Sequence, residues 1–368
     1  MKYEYWMACL KGIASSKKML LRKRVKTAED LYYIEETELR KFEFLNEKER
    51  NTIQQARKHR NLGAEYEEMV RKGIRFIPWF SEKYPKRLKE IPDYPYALYV
   101  KGSLPEEETR RAAVIGARRC SPYGEKYAVE FARTLAGLGV EIISGMARGI
   151  DGMGHRGALL GGGRTYAVLG CGVDVCYPKE HIGLYVDILE QGGGILSEFP
   201  PGTAPLAQHF PARNRIISGL ADAVLVMEAG RKSGSLITVD MALEQGRDVY
   251  ALPGPVNSPL SDGCNRLIRQ GAGILLSPEA LAEEWGLGGK DVQLRENVSG
   301  KKEGKNEKVL ETKEKLVYSC LGLYPKGVDQ VAAETNLDIK AVMELLVTLE
   351  LEGYIREISK NQYIIARC

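Results

Sequence analysis

From Ala112 onward, seven short apolar runs recur between stretches of helical periodicity: Ala112–Ile115, Glu141–Ser144, Thr165–Leu169, Gly194–Leu196, Ala223–Met227, Val249–Leu252 and Ile274–Leu276. Runs that are apolar at successive positions fit strands buried on both faces, and the intervening helical segments supply crossovers to parallel neighbours. The pattern predicts the α/β class, with a Rossmann-like, mostly parallel sheet as a core over residues 112–286. Such sheets bind ligands beyond the carboxyl ends of their strands. The residues that follow each run are therefore the place to look for chemistry.

Outside this core the pattern changes. Residues 1–75 read as a small helical module, with Lys17–Val25, Ala28–Ile34 and Asn46–Lys58 the clearest helices and Thr27 placed to cap the second. Residues 76–111 read as an irregular bridge packed on the core, rich in Pro and Tyr and leading into a short strand, Ala97–Val100. A polar, Gly- and Lys-rich stretch at 287–308 reads as a linker. Residues 309–368 follow the order of a winged helix: helices at Val309–Leu321, Val328–Thr335 and Ile339–Glu352, then short strands Tyr354–Glu357 and Gln362–Ile365. Asp338 is placed to cap the third helix, which enters a major groove in DNA-reading members of that architecture. That helix offers Lys340 as its only cation and carries Glu344, Glu350 and Glu352, so protein contact competes with DNA contact as its role.

Charge refines the picture. The 368-residue chain has a net charge of +4, yet residues 1–75 alone carry 18 Lys/Arg against 12 Asp/Glu, while residues 112–276 carry 15 of each. A polyanion bound by the middle region must be held by locally placed arginines and not by a general field. The Lys17, Lys18, Arg22, Lys23, Arg24 and Lys26 run of the first module is either a phosphate contact or a solvated face. Seven scattered cysteines without a Cys-x-x-Cys pair read as reduced thiols, and four well-separated histidines give no metal-ligand spacing. No apolar run approaches a membrane span, and the expectation is a cytoplasmic protein without metal or cofactor.

The strand-end segments are specific. Phe210-Pro211-Ala212-Arg213-Asn214-Arg215 sets one aromatic and two guanidiniums at a helix start: an anion site with a flat plate beside it, on which a base stacks for about 1 to 3 kcal/mol. The alternative is a core Phe210 with arginines paired to carboxylates. Gly116-Ala117-Arg118-Arg119 precedes Ser121-Pro122, an N-cap and first helical residue, so two cations face a helix dipole that favours anions. Ser144-Gly145-Met146-Ala147-Arg148-Gly149-Ile150-Asp151 is a glycine-rich turn whose amides form a nest for phosphate, with Arg148 facing the ligand or pairing with Asp151. Arg231-Lys232-Ser233-Gly234-Ser235 makes a further phosphate-sized cup. There is no Gly-x-x-x-x-Gly-Lys-Ser/Thr loop, and no Gly-x-Gly-x-x-Gly follows the first strand, which removes the main support for ATP hydrolysis and dinucleotide redox chemistry.

In order, Ile115-Gly116-Ala117-Arg118-Arg119, Ser144 to Asp151 with His155-Arg156-Gly157, Val168-Leu169-Gly170-Cys171-Gly172-Val173-Asp174, Leu196-Ser197-Glu198-Phe199-Pro200-Pro201-Gly202-Thr203, Phe210 to Gly219 and Glu228-Ala229-Gly230 resemble the DNA-processing protein A family, DprA or Smf. The resemblance covers about residues 75–285, and it fits the longer members' layout with a helical, sterile-alpha-motif or helix-hairpin-helix-like start and a winged-helix end. It implies a non-enzymatic mediator that binds single-stranded DNA, forms a homodimer and loads a RecA-type recombinase onto strands covered by single-strand-binding protein during natural transformation. By position it implies a pocket of Arg118, Arg119, the Ser144-Gly145 turn, Phe210 and Arg213. The full set of expected contacts is Arg118, Arg119, Ser144, Gly145, Arg148, Phe210, Arg213, Arg215, Lys232 and Ser233. Charge reversal at Arg118 or Arg213 is expected to abolish binding with the fold intact. Ala117 and Cys120 depart from the family's commoner small hydroxyl and Pro. Two rival readings remain: a nucleotide-binding or nucleotide-hydrolysing enzyme using Asp151, Asp174, Glu198 and Glu228, and a winged-helix regulator of duplex DNA.

Overall fold

The computed structural model describes residues 1–58, 61–287, 312–321, 325–359 and 361–365. These form two compact units, the first from residues 1–118 and 128–278 and the second from 119–127 and the described residues after 278.

The first unit opens with six helices: α1 (Lys2–Ala8), α2 (Ser15–Arg24), α3 (Ala28–Tyr33), α4 (Glu36–Arg40), α5 (Glu47–Gln55) and α6 (Leu62–Arg71). Short helices in a polar sequence need their ends satisfied. Two carry full capping boxes, Thr27 with Asp30 and Asn46 with Glu49, in which side chain and backbone exchange hydrogen bonds across the first turn.

Then follow β1 (Arg75–Pro78), α7 (Lys86–Lys89), β2 (Ala97–Gly102), β3 (Arg111–Gly116), α8 (Pro122–Gly137), β4 (Glu141–Ser144), α9 (Ile150–Leu160), β5 (Thr165–Val168), α10 (Ile182–Glu190), β6 (Gly194–Ser197), α11 (His209–Leu220), β7 (Ala223–Glu228), α12 (Ser235–Glu244), β8 (Asp248–Ala251), α13 (Asp262–Arg269), β9 (Gly273–Ile274) and α14 (Pro278–Glu284). The nine strands form one sheet in the order β1-β2-β6-β5-β4-β3-β7-β8-β9. The seven strands β3 to β9 pair in parallel, whereas β1 and β2 join antiparallel at one edge. Residues 76–111 thus belong to the sheet itself: Tyr99 and Val100 pair with Ser197 and Leu196.

Side chains alternate between the faces at the two-residue period of a strand. Leu98, Val100, Tyr166 and Val168 enter a core with α11 and α12 residues Ile216, Leu220, Val239 and Ala242. Ala97, Tyr99, Ala167 and Leu169 enter the opposite core, which contains Trp6, Leu21, Leu31, Leu39 and Ile53 from the opening helices and Leu184 and Ile188 from α10. The opening helices therefore share one apolar interior with the sheet and do not close a core of their own.

Strand order reverses between β3 and β7: the chain steps outward through β4, β5 and β6, then returns to lay β7 against β3. Such a switch point is the usual ligand position of doubly wound sheets.

Besides the first turns of α8 and nearly all of α14, the second unit contains α15 (Thr312–Cys320), β10 (Lys326–Gly327), α16 (Val328–Thr335), α17 (Ile339–Leu351), β11 (Ile355–Ser359) and β12 (Gln362–Ile365), with the small sheet ordered β10-β12-β11. Val317, Val331, Val342, Leu346, Leu349, Ile355 and Tyr363 form its interior. This is a winged helix. Asp338 caps α17, its Oδ1 accepting from the Lys340 and Ala341 amides at 2.9 and 3.2 Å.

Candidate nucleic-acid interface

The loop after β3 begins at Gly116, where an added Cβ would lie 2.7 Å from both the Glu228 carbonyl oxygen and an Ile150 side-chain carbon, so only glycine lets the strand ends close up. The Ala117 amide donates to Glu228 O at 2.7 Å and fixes the two loops side by side. Arg118 emerges exposed, its guanidinium carbon 5.5 Å from the centre of the Phe210 ring. Phe210 is half-buried at the start of α11, and Tyr177 lies beside it with ring centres 5.6 Å apart and planes inclined by 36°. Gly170 makes room for this ring: a Cβ there would come within 3.0 Å of it. One residue earlier, His209 stacks on Phe199 at 4.1 Å and 23°. The result is an aromatic wall with a cation at its rim, a combination that receives unpaired bases and their phosphates.

The turn after β4 serves a different purpose from the one expected. The Gly145 and Ala147 amides donate to Asp151 Oδ2 at 3.2 and 3.4 Å, so the turn binds an anion from its own chain. Burial pushes the Asp151 carboxyl up, while the Arg213 guanidinium opposes that shift. Arg213 is only 4% exposed, and its Nη1 donates to the carbonyls of Gly145, at 2.8 Å, and Val168. It ties the ends of β4 and β5 together, and burial pulls its pKa down to about 10. Ser144 is fully buried and donates its hydroxyl to Val114 O at 2.6 Å. The side chains of Ser144 and Arg213 thus support the rim and do not face a ligand. A reversed charge at Arg213 would fall in the interior, against the expectation of an intact fold, whereas Arg118 is exposed.

Arg215 is also drawn inward. It holds Glu198 through two hydrogen bonds of 2.6 and 2.7 Å, both side chains largely buried, and donates Nε to Asp93 O at 2.9 Å. Arg148 is exposed and pairs with Glu180 rather than with Asp151. Lys232 is exposed on the loop after β7, and the Ser233 hydroxyl meets that of Ser235 at 2.7 Å. Arg119 is exposed in the second unit, just before the Ser121 side chain accepts from the Gly124 amide at 3.2 Å.

Of the ten expected contacts, the first unit brings Arg118 and Phe210 together, sets Gly145 in the supporting turn and leaves Arg148 and Lys232 exposed on neighbouring loops. Tyr177 was missed because it falls in a loop between motifs. A Tyr-Pro pair following a glycine-rich strand end was the signal.

Three of the acidic residues of the enzyme reading are engaged by separate partners. Asp151 serves the Gly145 turn, Asp174 accepts from the Gly202 amide at 2.7 Å, and Glu198 is held by Arg215. Glu228 is buried at 1% exposure at the end of β7. Among the described residues no group of three or more His, Cys, Asp or Glu side chains is arranged to hold a metal ion. No described helix is long and apolar enough to cross a membrane.

A family model described as DNA recombination-mediator protein A matches residues 75–286, and a second, the DprA winged helix domain, matches residues 302–359. The chain belongs to the DprA family. Among its relatives, Protein Smf of Escherichia coli is 44% identical over 279 residues, covering 76% of this chain and 74% of that protein. The DNA processing protein DprA of Streptococcus pneumoniae is 47% identical over 214 residues, covering 57% of this chain and 74% of its own. The X-ray structure of DprA from Streptococcus pneumoniae superposes with a TM-score of 0.67 at 34% identity, over 77% of this chain and 98% of that one. A structure of DNA processing protein A from Helicobacter pylori, titled for its single-stranded DNA binding mode, gives a TM-score of 0.52 at 29% identity, over 61% of this chain and 96% of that one. The DprA matches span both the sheet that carries Arg118 and Phe210 and the winged helix.

In this DprA-family winged helix, the solvent face of α17 is largely apolar. Its solvent face shows Ile339, Met343, Val347 and Leu351, between 46% and 84% exposed, and Lys340 remains its only cation. A helix that binds the major groove needs donors for base edges and phosphates along that face.

Proposed function

We propose that this protein binds single-stranded DNA along the carboxyl ends of β3, β4 and β5, and acts without catalysis as a cytoplasmic mediator that loads a RecA-type recombinase during natural transformation. The observation that carries the reading is the pairing of an exposed guanidinium with an accessible aromatic wall, Arg118 over Phe210 with Tyr177 alongside. Unpaired bases have free faces to stack there, whereas paired bases do not. Arg118, Arg148 and Lys232 hold backbone phosphates, so binding weakens as salt rises. The Arg148–Glu180 pair is an exposed one that costs little to open. The separate engagement of Asp151, Asp174 and Glu198 supports a binding role over a hydrolytic one.

The homodimer, the recombinase and single-strand-binding protein enter as partners through the family. The short edge strand β9, with Ile274 and Leu276 exposed at 50% and 75%, is the surface we assign to a second copy. Fluorescence anisotropy with oligo-dT and a duplex of equal length, each titrated with salt, tests the ligand class. The reading expects preference for the single strand and a salt-dependent loss of affinity; equal affinity for duplex ends it. Recombinase filament growth on strands coated with single-strand-binding protein, with and without this protein, tests the loading role.

A further inference from the structure

The basic run of α2 divides into two halves with different roles. Lys17 gives both its short bonds to Glu49, at 2.8 Å, Lys18 is buried and donates to Ala8 O at 2.6 Å, and Arg22 donates Nε to Glu4 at 2.7 Å. Lys23, Arg24 and Lys26 are exposed, and among the described residues no ion pair holds them. Beside them, just past β1, lie Trp79 and Phe80, whose rings meet edge-on at 5.8 Å and 86°. Phe80 is 41% exposed with the Arg22 guanidinium carbon 5.6 Å from its ring centre, and the Lys23 ammonium is 5.9 Å from the centre of Trp79. Aromatic faces interleaved with uncommitted cations are the chemistry of a single-strand platform.

This patch is joined to the aromatic wall through a short series of contacts. The Trp79 amide donates to Tyr96 O at 2.9 Å, and the Tyr96 amide donates to Ser15 Oγ at the start of α2 at 3.3 Å. In the same segment Asp93 O accepts from Arg215, which holds Glu198. Next to Glu198 stands Phe199, stacked on His209 beside Phe210. We propose that the opening helices provide a second single-strand contact, in which Phe80 and Trp79 receive bases and Lys23, Arg24 and Lys26 hold phosphates, so that one strand runs from the Phe210 wall onto α2. The proposal rests on the single-strand reading of the core and extends the bound length beyond it.

Oligo-dT of about 6 nucleotides and of about 20 nucleotides separates the two contacts, since the shorter fits one platform and the longer reaches both. The variant carrying Lys23→Ala and Phe80→Leu keeps an apolar side chain under Arg22. It is expected to bind the short oligomer as the wild type does and the long one about fivefold more weakly or worse, the lower end of a lost stack. Its salt slope for the long oligomer falls by about 0.7, one phosphate contact on a single strand. Undiminished affinity for the long oligomer overturns the proposal. If the wild type binds neither oligomer, the core reading fails and this one with it. A variant that loses both oligomers together with thermal stability reports on folding, and photocrosslinking of the wild type to a long oligomer bearing 5-iodouracil then decides: adducts on Trp79 or Phe80 support the second contact, and adducts confined to Tyr177 and Phe210 refute it.

Discussion

Two arginines, three and five residues after the same aromatic, illustrate what residue type alone conveys. Arg213 and Arg215 lie in the first two turns of α11 and read as a phosphate fork, yet both turn inward to carbonyls and to Glu198. Charge and spacing are visible in a sequence; which strand end lies opposite is not. The exposure of Arg118 follows from its place two residues past β3, where the chain leaves the sheet. Removing the Phe210 ring with Phe210→Ala is expected to weaken oligo-dT binding by about 1 to 3 kcal/mol in an anisotropy titration, with little change in duplex binding. Arg213→Ala has the opposite profile: it leaves the buried Asp151 carboxylate without its cation and lowers unfolding free energy by about 3 to 5 kcal/mol in a denaturant titration. His155 adds a pH signature. It is fully buried, donates Nδ1–H to a Thr165 hydroxyl that itself donates to Ile142 O, and leaves Nε2 without a partner among the described residues. Burial pushes its pKa down to about 3, well below that of the unfolded chain. The unfolded state therefore takes up a proton first as pH falls below about 6.5, and stability drops by roughly 1 kcal/mol per pH unit down to about pH 4. Denaturant midpoints measured across that range should lose this slope in His155→Gln.

Strands and helices of the core were legible because burial on both faces leaves uninterrupted apolar runs, and all seven runs fall on strands β3 to β9. β2 was legible as the short strand Ala97–Val100, but its place in the sheet was not, because its antiparallel pairing to β6 links residues almost a hundred positions apart. The edge strand β1, which pairs with β2, was harder to see, since the neighbouring prolines read locally as irregular chain. α1, α4 and α6 escaped notice for another reason: they are at most ten residues long and depend on packing more than on propensity. One backbone position decides how β3 and β4 hand over to α9. Gly149 has φ of +70°, and a Cβ there would sit 2.3 Å from Ala117 O. Gly149→Ala is expected to displace the loop carrying Arg118, costing oligo-dT affinity at least tenfold, about 1.4 kcal/mol, alongside a lowered thermal midpoint. Retained affinity and midpoint would show that the turn relaxes without moving that loop.

At the scale of the whole molecule, the opening helices and the sheet divide one interior between them, with Trp6, Leu21 and Ile53 facing the same core as Tyr99, Leu169 and Ile195. A protein beginning at residue 75 uncovers that face, and it is expected to elute as aggregate or to bind a hydrophobic dye in size-exclusion and fluorescence measurements where the full chain does not. The sequence marked residues 1–75 as a separate helical element because local periodicity and charge change near that point. Shared burial is a tertiary property with no local signature. The arrangement also sets a timetable for synthesis. Strand β2 and the first helices leave the ribosome before β5 and β6, their partners in the sheet and core, have been translated, an interval of roughly ten seconds at ordinary elongation rates. During that wait the nascent chain presents apolar surface that β5 and β6 will later cover, so ribosome-bound chains ending before β5 are expected to bind a hydrophobic dye more strongly than the finished protein.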